Sequence, residues 1–183
     1  MSLLIAQLRE IRQSVSIPVI LMGYINPVMQ YGFERFCLDA SAAGADGLIL
    51  PDLPLDVFES KFRKHTDAAG LCNVFLISPT TSEERIRRID ACSSGFIYAV
   101  SSSSTTGART GFSDEQVAYF ERLQNMNLSN PLLIGFGISN SETFRASCSH
   151  AAGAIVGSAF ISMLGQSTDL PADIGKFISG LRG

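Results

Sequence analysis

Two short glycine turns carry the clearest chemistry in this sequence: Gly135-Phe136-Gly137-Ile138-Ser139 and Gly157-Ser158-Ala159-Phe160. A phosphate needs several backbone N–H groups converging at close range. Glycine lets the main chain approach, and a helix N-terminus adds partial positive charge. Ser158 adds a hydroxyl donor. A tight strand-to-helix turn also asks for glycine, so one such turn would carry little; two in succession point to an anion. A third segment, Phe96 to Gly107, runs from an apolar stretch holding Tyr98 into the hydroxyl-rich Ser101–Thr106 and ends in glycine. Such a segment suits a lid over substrate and equally a solvent-exposed linker.

Proton-transfer groups are harder to find. Asp52, in Leu50-Pro51-Asp52-Leu53-Pro54, ends an apolar run. Acid or base, cap of the following helix and acceptor for loop amides are all open to it. Asp46 begins the same run and so lies at the opposite end. Asp56 and Glu83 fall past the turns, inside predicted helices. Neither His65 nor His150 stands at a strand end, so no Ser-His-Asp set forms. Cys37, Cys72, Cys92 and Cys148 match no zinc spacing and read as free thiols in a reducing cytosol. No metal site is expected.

The elements that must position these residues repeat from end to end. Six runs are almost uniformly apolar: Ile17–Tyr24, Asp46–Asp52, Cys72–Pro79, Phe96–Ser102, Pro131–Gly137 and Ala154–Ile161. Uniform rather than alternating apolarity marks strands buried on both faces, hence a parallel sheet covered by helices. Helical spacing appears over 31–43, with a leading helix over 2–14 and a last one over 171–182. Capping boxes are predicted at Thr81 with Glu84, Ser113 with Gln116, and Ser139 with Glu142. Gly44, Gly70, Gly95 and Gly153 are predicted to end helices in the left-handed conformation.

Six strand–helix units fit an open doubly wound sheet or a (β/α)8 barrel lacking two units. The open sheet keeps its glycine-rich turn after the first strand. Here the first strand ends Met22-Gly23-Tyr24-Ile25-Asn26-Pro27, and the glycine turns follow the last two. Barrels that bind phosphate put that site after strands seven and eight. The expectation is therefore a single partial TIM-type barrel over 1–183, lacking its first two βα units. The 183 residues suit one domain. A net charge of −3 gives no electrostatic footprint for nucleic acid or an anionic membrane. No apolar run reaches the ~18 residues of a membrane helix.

Met22-Gly23-Tyr24-Ile25-Asn26-Pro27-Val28, then Ala43-Gly44-Ala45-Asp46-Gly47-Leu48-Ile49-Leu50-Pro51-Asp52-Leu53-Pro54, resemble the tryptophan synthase alpha chain family. So do Ser78-Pro79-Thr80-Thr81, Gly95-Phe96-Ile97-Tyr98-Ala99-Val100-Ser101 and both glycine turns. The resemblance runs from residue 17 to the end. It implies retro-aldol cleavage of indole-3-glycerol phosphate to indole and glyceraldehyde 3-phosphate. It implies no cofactor, since PLP belongs to the beta subunit, and a cytoplasmic setting with the beta chain as partner. By motif, Gly107, Gly137, Gly157 and Ser158 would hold the phosphate, and Thr106 of the Gly107 loop would also bind substrate. Met22, Tyr24, Ile49, Pro51, Ile77, Tyr98 and Phe136 would line the indole and glycerol pocket. Asn26 and Asp52 would lie toward the beta subunit, and Ser101–Gly107 would be the loop that closes on substrate.

Two departures stand out. The loop reads Ser104-Thr105-Thr106-Gly107 where many members have Gly-Val-Thr-Gly. The family's catalytic glutamate and aspartate would precede residue 1, so the chain alone is expected to be inactive. Loss of each such group costs ~10²–10⁴-fold. Exposed strand edges are expected to promote self-association. Two alternatives stay open: a non-catalytic phosphate-binding fragment, and another phosphosugar barrel such as a phosphoribosyl-anthranilate isomerase relative.

Overall fold

A computed structural model describes residues 1–101, 112–135 and 137–183. They fall into two compact units, 1–75 with 88–95, and 76–87 with 96–183. The first unit holds α1 (Ser2–Ile11), β1 (Ile20–Met22), α2 (Ile25–Tyr31), α3 (Phe33–Ala42), β2 (Gly47–Ile49), α4 (Leu55–Val57), a π-helical turn (Phe58–Phe62), α5 (Arg63–Ala68) and β3 (Cys72–Val74). The second holds β4 (Leu76–Ile77), β5 (Ile97–Val100), α7 (Asp114–Asn125), β6 (Leu132–Gly135), α8 (Ser141–His150), β7 (Gly153–Ile155), α9 (Ser158–Gln166) and α10 (Leu170–Arg182). Helix α6 (Glu83–Cys92) contributes its first half to the second unit and its last residues to the first.

Each unit carries one parallel sheet, ordered β1-β2-β3 and β4-β5-β6-β7. Every pairing is parallel and in step, as in Leu21 with Leu48 and Leu48 with Asn73. In the second sheet Tyr98 pairs with Leu133, and Ile134 with Ala154. This is the parallel α/β pattern that uniform apolarity predicted. The predicted run Cys72–Pro79 is split at Phe75, so six runs become seven strands.

Burial explains the elements. In the first unit Phe33 stacks on Phe62 at 4.1 Å, and Phe58 meets Phe75 edge-on at 5.1 Å. Cys37, Ala40 and Leu48 are fully enclosed. In the second, Ile77, Ile97, Phe120, Leu123 and Ile134 form the buried set.

Several boundaries differ from expectation, each for a local reason. The helix read over 31–43 is two, because Gly32 sits at φ 96° between α2 and α3. The leading helix stops at Ile11. The run to Ile161 ends as a strand at Ile155, and α9 begins at Ser158, which makes the second glycine turn a helix start. Only the Ser113–Gln116 box forms as predicted. Helix α8 is capped by Asn140 with Thr143 instead of Ser139 with Glu142. At α6 it is Ser82 whose hydroxyl accepts from Arg85 N (3.3 Å), while Thr81 Oγ1 accepts from Ser78 N at 2.9 Å. Gly44, Gly70 and Gly95 have the expected positive φ. Gly153 does not: it lies in β7, and α8 ends in an extended Ala151 that leads directly into strand pairing, with Ala152 N donating to Leu132 O at 2.9 Å.

Candidate active site

In the first unit the expected residues gather where β1 and β2 end. Met22 is the last residue of β1 and Ile49 the last of β2. Gly23 N donates to Ile49 O at 3.1 Å, so the parallel ladder continues one residue beyond β1. Ile49 is buried, whereas Met22 and Tyr24 are 58% and 72% exposed. Tyr24 is the extended N-cap of α2 and offers that helix no side-chain cap. Asp52 fills the gap: its Oδ1 accepts from Ile25 N at 2.9 Å. The sequence leaves Asp52 open as an acid or base, a cap for the helix that follows it, or an acceptor for loop amides; it instead caps the preceding α2 across 27 residues of sequence, and the following α4 has no side-chain cap. Asn26 and Pro51 lie exposed beside this junction.

The opposite end of the same strands is built around Arg12, which the sequence reading passed over. Its Nε donates to Gly44 O (2.6 Å) and its Nη1 to Ile17 O (2.6 Å) and Val15 O (3.2 Å). It pairs with Asp46, whose Oδ2 also accepts from Val19 N at 2.7 Å. Asp46 thus serves the structural end of the strands, as its place at the start of a run predicted.

In the second unit Ile77 closes β4 and is fully buried. Tyr98 lies in β5, 7% exposed, and burial raises its phenol above its ordinary value. Its ring lies against Gly135: a Cβ there would stand 2.6 Å from Tyr98 Cζ. The glycine in the first turn is thus required by an aromatic neighbour. Gly137 follows at φ 78° and is exposed. Gly157 is the N-cap of α9, with Ser158 exposed at the first helical position. Parallel pairing of β6 with β7 brings these two turns to the same carboxyl end of the sheet. Thr106, Gly107 and Phe136 lie outside the described residues, as does the expected loop from residue 102 to 107.

Hydrogen bonds also order the ends of β4 and β5. Ser78 Oγ lies 3.0 Å from Thr80 Oγ1 after β4, and Arg122 Nη2 donates to Pro79 O at 3.0 Å. Ser101 is buried at the end of β5, its N–H donating to Gly135 O at 3.0 Å. The Gln116 amide donates to Ser101 O at 2.8 Å. The capping box predicted Gln116's bond to Ser113 but nothing local signalled this second one. A cleft of about 330 Å³ opens elsewhere, between Leu123, Asn127, Pro131, His150 and Ala152, at the amino ends of β6 and β7. No expected site residue lines it, and that end of a parallel α/β unit ordinarily serves stability.

Acidic groups do not converge. Asp52 is the one acid within three residues beyond a strand's carboxyl end among the described residues. Asp56 and Glu59 are both engaged by Arg88, at 2.5 and 2.6 Å. No group of three or more His, Cys, Asp or Glu side chains gathers as metal ligands among the described residues.

These features define a class first: a parallel α/β barrel-type chain whose glycine turns follow its last two strands. The family model for the tryptophan synthase alpha chain matches residues 1–176. The tryptophan synthase alpha chain of Flavobacterium johnsoniae is 52% identical over 180 residues, 98% of this chain and 70% of that one. That of Bacteroides thetaiotaomicron is 49% identical over 182 residues, 100% of this chain and 71% of that one. The solved alpha subunit from Pyrococcus furiosus matches with a TM-score of 0.85 at 29% identity, covering 97% of this chain and 71% of that one. The tryptophan synthase complex of the same organism matches at 0.83 with 28% identity and the same coverage. The chain belongs to the tryptophan synthase alpha chain family. The family is a lyase of tryptophan biosynthesis that cleaves indole-3-glycerol phosphate, and PLP belongs to its beta subunit. No helix among the described residues is long and apolar enough to cross a membrane.

Proposed function

We propose that this chain holds the phosphate of indole-3-glycerol phosphate at the turns after β6 and β7 and does not by itself complete the cleavage. Gly137, Gly157 and Ser158 hold the anion together with Gly107, and Thr106 of the Gly107 loop also binds substrate. By the family resemblance, the residues for the indole and glycerol portion are Ile77, Tyr98, Phe136, Met22, Tyr24, Ile49 and Pro51.

The observation that carries the phosphate assignment is Gly157. It has no left-handed φ, and a Cβ there would meet no atom within 4 Å. Crowding by the chain does not require glycine at the head of α9; its ψ of −85° lies outside the main regions and favours glycine, and the open backbone there lets an anion approach the helix N-terminus. The expected absence of turnover rests on the acids. Protonating the indole ring and removing a hydroxyl proton takes two placed groups, and Asp52 is the one acid near a strand's carboxyl end among the described residues.

Both halves of the proposal are open to measurement. Calorimetry with glycerol 3-phosphate should show binding that falls at least about tenfold in Gly157→Val. The purified chain should release no indole at family-like rates. Unchanged affinity in the variant overturns the phosphate assignment, and rapid indole release overturns the second half.

The solved relatives include an alpha–beta complex, and Asn26 and Asp52 of this chain stand exposed at one turn junction. They form the face we assign to a beta chain, in a cytoplasmic setting. Co-elution with a beta chain, lost in Asp52→Ala, is the expected result. We further propose that residues 1–183 act as one domain, and that the chain self-associates through its sheet edges.

A further inference from the structure

We infer that Gln116 is a positioning residue for the phosphate site: one side-chain amide locks the end of β5 against the glycine turn after β6. The inference rests on the phosphate assignment above.

The geometry is specific. Gln116 Oε1 accepts from Ser113 N at 2.9 Å, and Ser113 Oγ accepts from Gln116 N at 3.4 Å. That reciprocal pair is an ordinary capping box, and a box needs only the carbonyl half of the amide. The other half is used elsewhere, with Nε2 donating to Ser101 O at 2.8 Å. Ser101 is 1% exposed, and its own N–H donates to Gly135 O at 3.0 Å. Its Oγ lies 4.0 Å from where a Cβ on Gly137 would stand. A hydrogen-bonded path therefore runs from Gln116 through the Ser101 peptide to Gly135, with the Ser101 hydroxyl on the side of Gly137 where a Cβ would stand.

The same amide holds both borders of the stretch from 102 to 112, Ser101 on one side and Ser113 on the other. Phe112 is fixed independently, edge-on to Phe120 at 5.0 Å. The return border thus has a second anchor, and the Ser101 carbonyl is met by Gln116 Nε2. Glutamate would serve the capping box as well as glutamine. It cannot donate to Ser101 O while ionised, and its charge would oppose that carbonyl. Glutamine satisfies both borders at neutral pH, which accounts for its presence at this position.

The test uses glycerol 3-phosphate as probe, calorimetry for affinity, and amide hydrogen exchange for the turn. Gln116→Ala is expected to weaken binding about tenfold, the scale of one buried hydrogen bond left unmade. It should also speed exchange at Ser101 and Gly137. Gln116→Glu keeps the box and should show the same loss at pH 7. As pH falls through the carboxyl's titration range, at or above ~4.3, the protonated acid regains its donor. The affinity ratio to the parent chain should then return toward one. A residue that merely supported α7 would show neither the loss in Gln116→Glu nor its reversal. Unchanged exchange and affinity in both variants would overturn the inference. Affinity lost in Gly157→Val but kept in both Gln116 variants overturns it while leaving the phosphate assignment standing. No binding by the parent chain overturns the phosphate assignment first, and this inference with it.

Discussion

Single residues at the two ends of the strands do different jobs. Arg12 illustrates the structural end. Its guanidinium meets three carbonyls and Asp46, and its stem lies so close to Gly44 that a Cβ there would stand 2.6 Å from Arg12 Cγ. Gly44 also holds φ 98°, so two independent constraints exclude a side chain. Arg12→Ala leaves three carbonyls to water and removes the Asp46 pair. Because the site is only half-buried, the expected cost is about 2 kcal/mol, read as a lower urea midpoint with an unchanged slope. Gly44→Ala should cost a similar amount through strain and overlap. The glycine was legible in sequence, since a helix pattern stopped before it. The arginine was not: its partner carbonyl lies 32 residues away, and an arginine near a helix end reads as solvated. Asp52 shows the same asymmetry. Its type and place were legible, but not that it caps the helix before it instead of the one after.

Elements follow the apolar pattern well and their ends poorly. The six runs are where strands form because burial on both faces leaves a continuous signature. The ends depend on which of two neighbouring hydroxyl or amide side chains reaches the free N–H groups first, as with Ser82 over Thr81 and Asn140 over Ser139. The π-helical turn Phe58–Phe62 had no signature at all. It places Glu59 where Arg88 Nη2 approaches to 2.6 Å and the Cys92 thiol donates to it at 3.1 Å. The Cys92 bond first, and Arg88 next, hold the Glu59 carboxyl below its ordinary value of 4.5. A carboxyl depressed in the folded state stabilises above its unfolded value, and that contribution is lost as pH falls through the folded one. Urea midpoints measured downward from pH 5 should therefore drop, with a smaller drop in Glu59→Gln. The Cys92 thiol is pushed the other way, up to about 11, by burial first and then by Glu59. A raised thiol favours the folded state below its unfolded value, and the contribution fades as pH rises from about 9 to 11. Cys37, raised to about 12 by burial, adds to the same alkaline loss.

At the scale of the whole chain, each sheet has an edge built of apolar sequence. β1 borders the first sheet and β7 the second. Ile17, just before β1, is 69% exposed, and the flanking Met22 adds to the same apolar border. A strand edge with free N–H and C=O groups beside exposed apolar side chains is a template for another chain. Natural edges are protected by charge, especially lysine, yet Ile17–Tyr24 holds none. Ile17→Lys supplies that charge without touching the Ile17 carbonyl that Arg12 uses. Light scattering across a concentration series should show the parent chain's mean mass rising, and Ile17→Lys flattening the rise. Leu38→Lys is the matched control. Leu38 is an exposed apolar residue on helix α3 and not on an edge strand, so its replacement should leave the rise in place. A parent mass that stays monomeric at every concentration would show that these edges do not associate. Equal suppression by both substitutions would assign the association to general surface apolarity instead of the β1 edge.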